Sequence, residues 1–388
     1  MILPLDHSAI KLFQNKALKL KAAFMKNPFI SFRILLLLLV TLQAFWLSIE
    51  CVPKKEPVRI NLWYGEEQTF GHLGTPQRWV NILGNISATD SVVSACAVIN
   101  QSDTMILSLG SDFHRLARQG DFNVDIDRDK LRVGENLIEI VATDSSGGRA
   151  GKTVKVHLHA GNTWPLPYEI HWAEVNEITD VAEIMDGKWE LTPDGVRTSE
   201  LYYDRILTIG DSTWSDYEVE TTVIFHDFTP PAPGPPTYNV SHAAIASRFP
   251  GHDVDEHQPH RKWFPLGATS EFRLTTQLDS CRWRIFDGEN LYVEQRPEQF
   301  RTIELDKMYG MKHRVETLTD GQTRYSVKLW PHDQAEPQTW DLIAIETPGN
   351  LPNGAALLIA HNADVTFGDV RVMPLAPAAG GNPLTKHQ

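Results

Sequence analysis

Apolar and polar residues alternate one for one along much of this chain. In NLIEIVATD (136–144) and KTVKVHL (152–158) apolar residues recur at every second position, the period of a strand with one buried and one wet face. Similar short runs occur at 58–63 (VRINLW), 78–87, 91–100 and 121–127, and no segment of useful length carries the 3.6-residue period of an amphipathic helix. About seven strands in ~100 residues, separated by turn residues, call for a small two-sheet sandwich. From 169 onward the runs continue: DYEVETTVIF (216–225), HAAIASRF (242–249), SEFRLTTQL (270–278), CRWRIFDG (281–288), NLYVEQ (290–295), AALLIAH (355–361) and DVTFGDVRVMPL (364–375). HRVETL and RYSVKLW flank Thr319-Asp320-Gly321-Gln322, which predicts a hairpin with a D-G turn. So many strands without helices need a second, larger sandwich to bury them. The expected fold is all-β.

Export is the firmest functional expectation. Ile34–Ile49 (ILLLLLVTLQAFWLSI) is apolar and preceded by bases. Its sixteen residues would span about 24 Å as a helix, short for a bilayer core of about 30 Å. That pattern fits a secretory signal or an uncleaved signal anchor in residues 1–50, with Met25 as a second candidate start. The body would then be extracytoplasmic, either secreted or held at the cell surface with the membrane as a partner. Residues 1–50 carry six bases against two acids, so of the net −13 the remainder holds about −17. Such a body repels phosphate backbones and excludes nucleic acid as a partner, while neutral glycans or Ca²⁺ are easier to accommodate. Three widely spaced cysteines, Cys51, Cys96 and Cys281, exclude a disulfide scaffold and a Cys-based zinc site.

The stretch VGENLIEIVATDSSGGRAGKTVKVHL (133–158) resembles the closing strands of bacterial immunoglobulin-like and cadherin-like repeats. The resemblance covers 58–160, reached through a linker at 51–57, and implies a spacer or adhesive module. GNTWPLPY (161–168) reads as the domain boundary. Beyond it come WSDYEVE (214–220), a K-x-R-V-E strand, YSVKLW (325–330), E-P-x-x-W (336–340), ALLIAH (356–361) and VTFGDVRV (365–372). In that order they are similar to the closing half of a concanavalin A-like jelly roll, of the laminin-G-like and 3-keto-glycoside-hydrolase-like branch. The match spans 169–376 and leaves 377–388 as a disordered tail. It implies a last strand paired with an N-terminal one, and a fold shared by lectins and enzymes.

The most conspicuous polar stretch is GHDVDEHQPHRKWFPLG (251–267). His252, Asp253, Asp255, Glu256, His257 and His260 offer six ligand-type side chains within nine residues, a set that suits a Zn²⁺-like ion. A solvated loop and a ligand-facing rim are the competing readings. The rim is favoured over a catalytic centre, because the stretch continues into Arg261 and Trp263, and an indole beside cations is what sugar recognition uses. The expected carbohydrate-binding set is Trp263, His257, His260, Arg261 and Trp283. Trp283 alternates with Arg282 and Arg284, so it faces either the core or the groove. An enzyme on the same fold, a glycoside hydrolase or polysaccharide lyase, would draw its acid and base from His257, Glu256 and His252. A structural envelope protein is the third reading. Asp216, Glu218 and Glu220 share a strand face, but the E-x-D-x-x-E spacing of related glucanases is absent and a polar outer face explains them. The resemblance also implies one structural calcium ion, with Asp369 in T-F-G-D-V and Asp180 as oxygen donors.

Overall fold

Turn chemistry fixes the strand register wherever it was legible. At 319–322 the Leu318 N–H donates to Gln322 O (2.8 Å), and the Gly321 N–H returns to Leu318 O (2.9 Å). Gly321 takes a φ of +84°, which its lack of Cβ allows. The computed structural model describes residues 57–112, 114–230, 240–261, 267–288, 290–348 and 351–375. The apolar run at 34–49, Trp263, most of the Pro-rich stretch and the tail lie outside the described residues. Among the described residues no helix is long and apolar enough to cross a membrane.

The described residues from Pro57 onward form one compact unit with four sheets. The first eight strands are β1 (Arg59–Leu62), β2 (Glu67–Phe70), β3 (Trp79–Ser87), β4 (Val92–Ile99), β5 (Asp103–Ile106), β6 (Asp121–Asp127), β7 (Gly134–Asp144) and β8 (Arg149–Leu158). They form a three-stranded sheet, β1-β3-β6, and a five-stranded one, β2-β8-β7-β4-β5, in which β2 and β8 run parallel. Val80, Ile82, Phe122 and Val124 from the first meet Ile138, Ile140, Val154 and Val156 from the second. The alternation in β7 and β8 therefore supplies the core of a small sandwich.

The remaining strands are β9 (Tyr168–Ile170), β10 (Glu183–Asp186), β11 (Glu190–Thr192), β12 (Gly195–Thr198), β13 (Arg205–Ile209), β14 (Tyr217–Phe228), β15 (His242–Phe249) and β16 (Ala268–Arg273). They are followed by β17 (Arg282–Phe286), β18 (Tyr292–Glu294), β19 (Met308–Thr317), β20 (Thr323–Pro331), β21 (Leu342–Glu346), β22 (Ala355–His361) and β23 (Ala363–Pro374). One sheet has seven strands in the order β10-β13-β22-β15-β16-β17-β18, the other eight in the order β11-β12-β23-β14-β19-β20-β21. The last strand also pairs with β9, as the jelly-roll resemblance implied. Tyr217, Val219, Val223 and Phe225 of β14 pack toward Ala243, Ile245, Phe272, Trp283 and Leu358 of the facing sheet. Each Val, Ile, Leu or Phe among them contributes about 1.5–3 kcal/mol by leaving water.

The stretch 161–168 is not a free connection. Trp164 is buried in the large core, its N–H donates to Asp211 Oδ2 (3.2 Å), and its carbonyl accepts from Trp214 Nε1 (3.0 Å). Leu83 of the first sandwich joins the same core. Cys281 is buried and Cys96 half-buried, both unpaired.

Candidate functional site

The His-rich loop turns inward onto the first sandwich. Asp125 on β6 receives it: the His260 N–H donates to Asp125 Oδ2 (2.7 Å), and His252 Nε2 lies 3.4 Å from the same oxygen. Gln258 brackets the Asp125 backbone, accepting from its N–H (3.2 Å) and donating to its carbonyl (2.9 Å). Arg115 completes the lock with ion pairs of 2.5 Å to both Asp125 and Asp186, and it donates to His260 O (2.9 Å). All three charged side chains are buried. Although burial opposes it, the Arg115 guanidinium holds the Asp125 carboxyl far below the usual carboxylate range. Trp79 roofs this lock, its ring 4.7 Å from that of His260.

His252 and His260, expected as catalytic or sugar-binding groups, are thus internal parts of the joint between sandwiches. Burial lowers the pKa of His252. Outward lie Glu256, whose side chain is 82% exposed, and His257, 3.4 Å from Asp255. The Arg261 N–H donates to Asp255 Oδ2 (2.8 Å), and its half-exposed side chain lies 3.9 Å from Asp112. Trp283 faces the core, not a groove: it is buried and donates Nε1–H to Asp341 Oδ2 (3.1 Å).

Asp369 and Asp180 each hold protein partners of their own. The carboxylate of Asp369 bonds to His171 Nδ1 (2.9 Å) and accepts from the Trp172 N–H (3.1 Å), and that bond raises the His171 pKa. Asp180 accepts from the Glu177 N–H (3.3 Å) in its own turn. Among the described residues, neither belongs to a convergent group of three ligand-type side chains. The acids on and just before β14 are paired in place, Glu218 and Glu220 with Lys312 (3.3 and 2.7 Å) and Asp216 with Arg248 (2.8 Å). They form a polar outer face, as the spacing suggested.

The burial of Trp283 defines a site that sequence reasoning missed. With the indole inward, strand alternation sends Arg282 and Arg284 to the outer face of the seven-stranded sheet. Register then builds a ladder across five strands, β22, β15, β16, β17 and β18. One rung runs from Asp204, beside β13, through His361, His242 and Arg273 to Arg282, and the next carries Ile359, Ala244, Glu271, Arg284 and Glu294. Arg284 pairs with Glu271 (2.5 Å), Arg273 with Glu294 (3.2 Å), and Arg282 with Glu294 (2.7 Å). Exposure rises along the ladder, from 2% for the Arg273 side chain to 25% for Arg282 and 55% for Tyr292. The Arg284 guanidinium lies 5.4 Å from the Tyr292 ring centroid and 5.5 Å from that of Phe286. Burial lowers the Arg273 pKa, with the Arg284 cation adding to the effect. The Glu294 pKa is depressed: burial works against this, and Arg282 outweighs it. At the buried end His361 Nδ1 is 2.6 Å from Asp204 Oδ1, and the His242 ring stacks on that of His361 at 4.5 Å.

No family model and no curated protein matches this chain. Among solved structures, the exoplasmic/lumenal domain of VIP36 in a Ca²⁺/Man2-bound form is 13% identical, with 55% of this chain and 90% of that one covered, at a TM-score of 0.34. An alginate lyase from Pseudomonas aeruginosa is 14% identical over 48% of this chain and 86% of its own, at a TM-score of 0.28. Carbohydrate-binding modules of the β-sandwich superfamily align at 8% identity over 83% of this chain and 98% of theirs, at a TM-score of 0.19. At these scores the likeness transfers no ligand or activity to this chain.

Proposed function

We propose that this is an extracytoplasmic carbohydrate-binding protein that takes its ligand on the outer face of the seven-stranded sheet. The observation that carries the reading is the open end of the ladder. There, an exposed Tyr292 ring lies beside Arg282, Arg284 and Glu294. A flat apolar ring faces sugar C–H groups, while guanidinium groups donate hydrogen bonds to hydroxyl oxygens and carboxylates accept from hydroxyl protons. Three guanidiniums gathered on so acidic a body favour a saccharide that bears carboxylates. The first sandwich, read as immunoglobulin-like, carries this face.

The test is affinity electrophoresis through gels holding neutral or acidic polysaccharides. Retardation in an acidic polymer is expected, weakened about tenfold or more by Tyr292→Ala and by Arg282→Ala, a loss of about 1.4 kcal/mol. Retardation that survives both variants but is lost in His257→Ala or Arg261→Ala would move the ligand to the His-rich loop. No retardation in any gel rejects the reading. The Asp204–His361 pair favours a second reading, a glycoside hydrolase or polysaccharide lyase, since a carboxylate that orients an imidazole prepares it as a base. Clearing of the polymer around the band would establish that reading instead.

A further inference from the structure

The outer face of the eight-stranded sheet carries a dish of about 290 Å³, lined among others by Trp330, Glu220, Asp369, Arg371 and His171. Two features of the backbone shape it. Register sets Thr222, Gly310 and Trp330 on one rung of β14, β19 and β20, and Glu220 with Lys312 on the next. Gly310 lacks the Cβ that would collide with Trp330 Cε2 and Cζ2, so the indole lies across β19 as an apolar floor. On β23 a bulge sets Gly368 and Asp369 together opposite Thr222, between the pairs Thr221–Val370 and Val223–Phe367. Val370 stays in the core, and Asp369 and Arg371 turn outward onto the wall of the dish. We propose that this dish is a second saccharide site, one that takes a neutral sugar residue.

Each acid of the wall has its own base: Glu169 pairs with Arg371 (3.1 Å), Asp369 with His171 (2.9 Å) and Glu220 with Lys312 (2.7 Å). The dish therefore offers donors and acceptors with little net charge. The indole faces sugar C–H groups, the carboxylates accept from hydroxyl protons, and Arg371 donates to hydroxyl oxygens. An anionic ligand would meet three carboxylates and a cationic one Arg371 and Lys312, so a neutral ligand fits best. The volume is at the small end of ligand sites, which start at roughly 300 Å³, and suits one sugar residue of a chain. The ladder lies on the outer face of the opposite sheet, with the core between, so this site does not rest on the acidic-saccharide reading.

The full chain is titrated calorimetrically with the neutral hexasaccharides of β-1,4-glucose, β-1,3-glucose, α-1,4-glucose and β-1,4-mannose. Saturable binding of at least one is expected, at one site per chain. Trp330→Ala, Asp369→Asn and Arg371→Ala should each weaken it about tenfold or more. The Asp369 and Arg371 side chains are 60% and 56% exposed, so these two variants keep the fold even should Trp330→Ala lose it. Binding should also persist in the presence of excess polygalacturonate, whose expected place is the ladder. Failure of the acidic polymer to bind anywhere would sink the reading above and leave this site standing. Absence of binding by all four hexasaccharides overturns the proposal, as does binding that both Asp369→Asn and Arg371→Ala leave unchanged. Displacement of the hexasaccharide by polygalacturonate would put the neutral sugar on the ladder, and overturns it too.

Discussion

Arg115→Met should destabilise the chain by about 3–5 kcal/mol, measured as a fall in unfolding free energy from urea titration. The effect is large because the substitution takes the nearest cation from two buried carboxylates, leaving Asp186 only Arg205 at 3.8 Å. Asp125 and Asp186 are both buried against Arg115, one from each sandwich, and neither can reach water once the guanidinium is gone. His260 O would lose its donor as well. Arg78→Met is the control. Arg78 pairs with Asp127 at the surface, its side chain 53% exposed, so its loss should cost at most about 1 kcal/mol. Equal costs for the two variants would mean that water reaches the joint and that the lock is not dry. Replacing Arg115, Asp125 and Asp186 together by apolar residues of similar volume should recover most of the loss, since no charge is then left unpaired.

Acid should weaken the fold through His313. This residue lies on the core face of β19 between Met311 and Val315, with both ring nitrogens buried. Burial pushes its pKa down to about 3, overriding the opposing influence of the Ile245 backbone. An unfolded histidine titrates near ~6.5. Between those values the unfolded chain binds a proton that the folded chain refuses. The contribution is therefore fully present above pH ~6.5 and declines by about 1.4 kcal/mol per unit as pH falls toward 3. His313→Leu should remove this slope. Its stability difference between pH 7 and 4.5 should be smaller than that of the wild type by about 2–3 kcal/mol. The buried His242, also depressed, supplies acid sensitivity that remains. An unchanged pH dependence in His313→Leu would mean that the core admits the imidazolium, against the burial of this ring.

The architecture was legible where strands have one wet face. β7, β8 and the β19–β20 hairpin follow from alternation and turn residues. Sequence reasoning passed over β13, because Arg205–Ile209 is buried on both faces and carries no alternation. The three-residue strands β9 and β11 are too short to show a period. Residues 169–209, which hold Asp204, therefore supplied none of the quoted strands. The candidate ladder was half visible: placing Trp283 opposite Arg282 and Arg284 was correct, and burial of the indole decides which face the arginines take. His242 and His361 end two strands quoted for their apolar content, and only tertiary register sets them side by side. The His-rich loop misled for the converse reason. Its histidines cluster in sequence, but the groups that hold them, Asp125 and Arg115, lie more than a hundred residues upstream.

The lock at Arg115 also governs how the protein can be aimed. A module joined by a loose hinge would swing about its attachment and sample many headings. Here the first sandwich works as a bracket: it and the seven-stranded sheet keep one heading, and force applied to either sandwich arrives at the other through buried ion pairs.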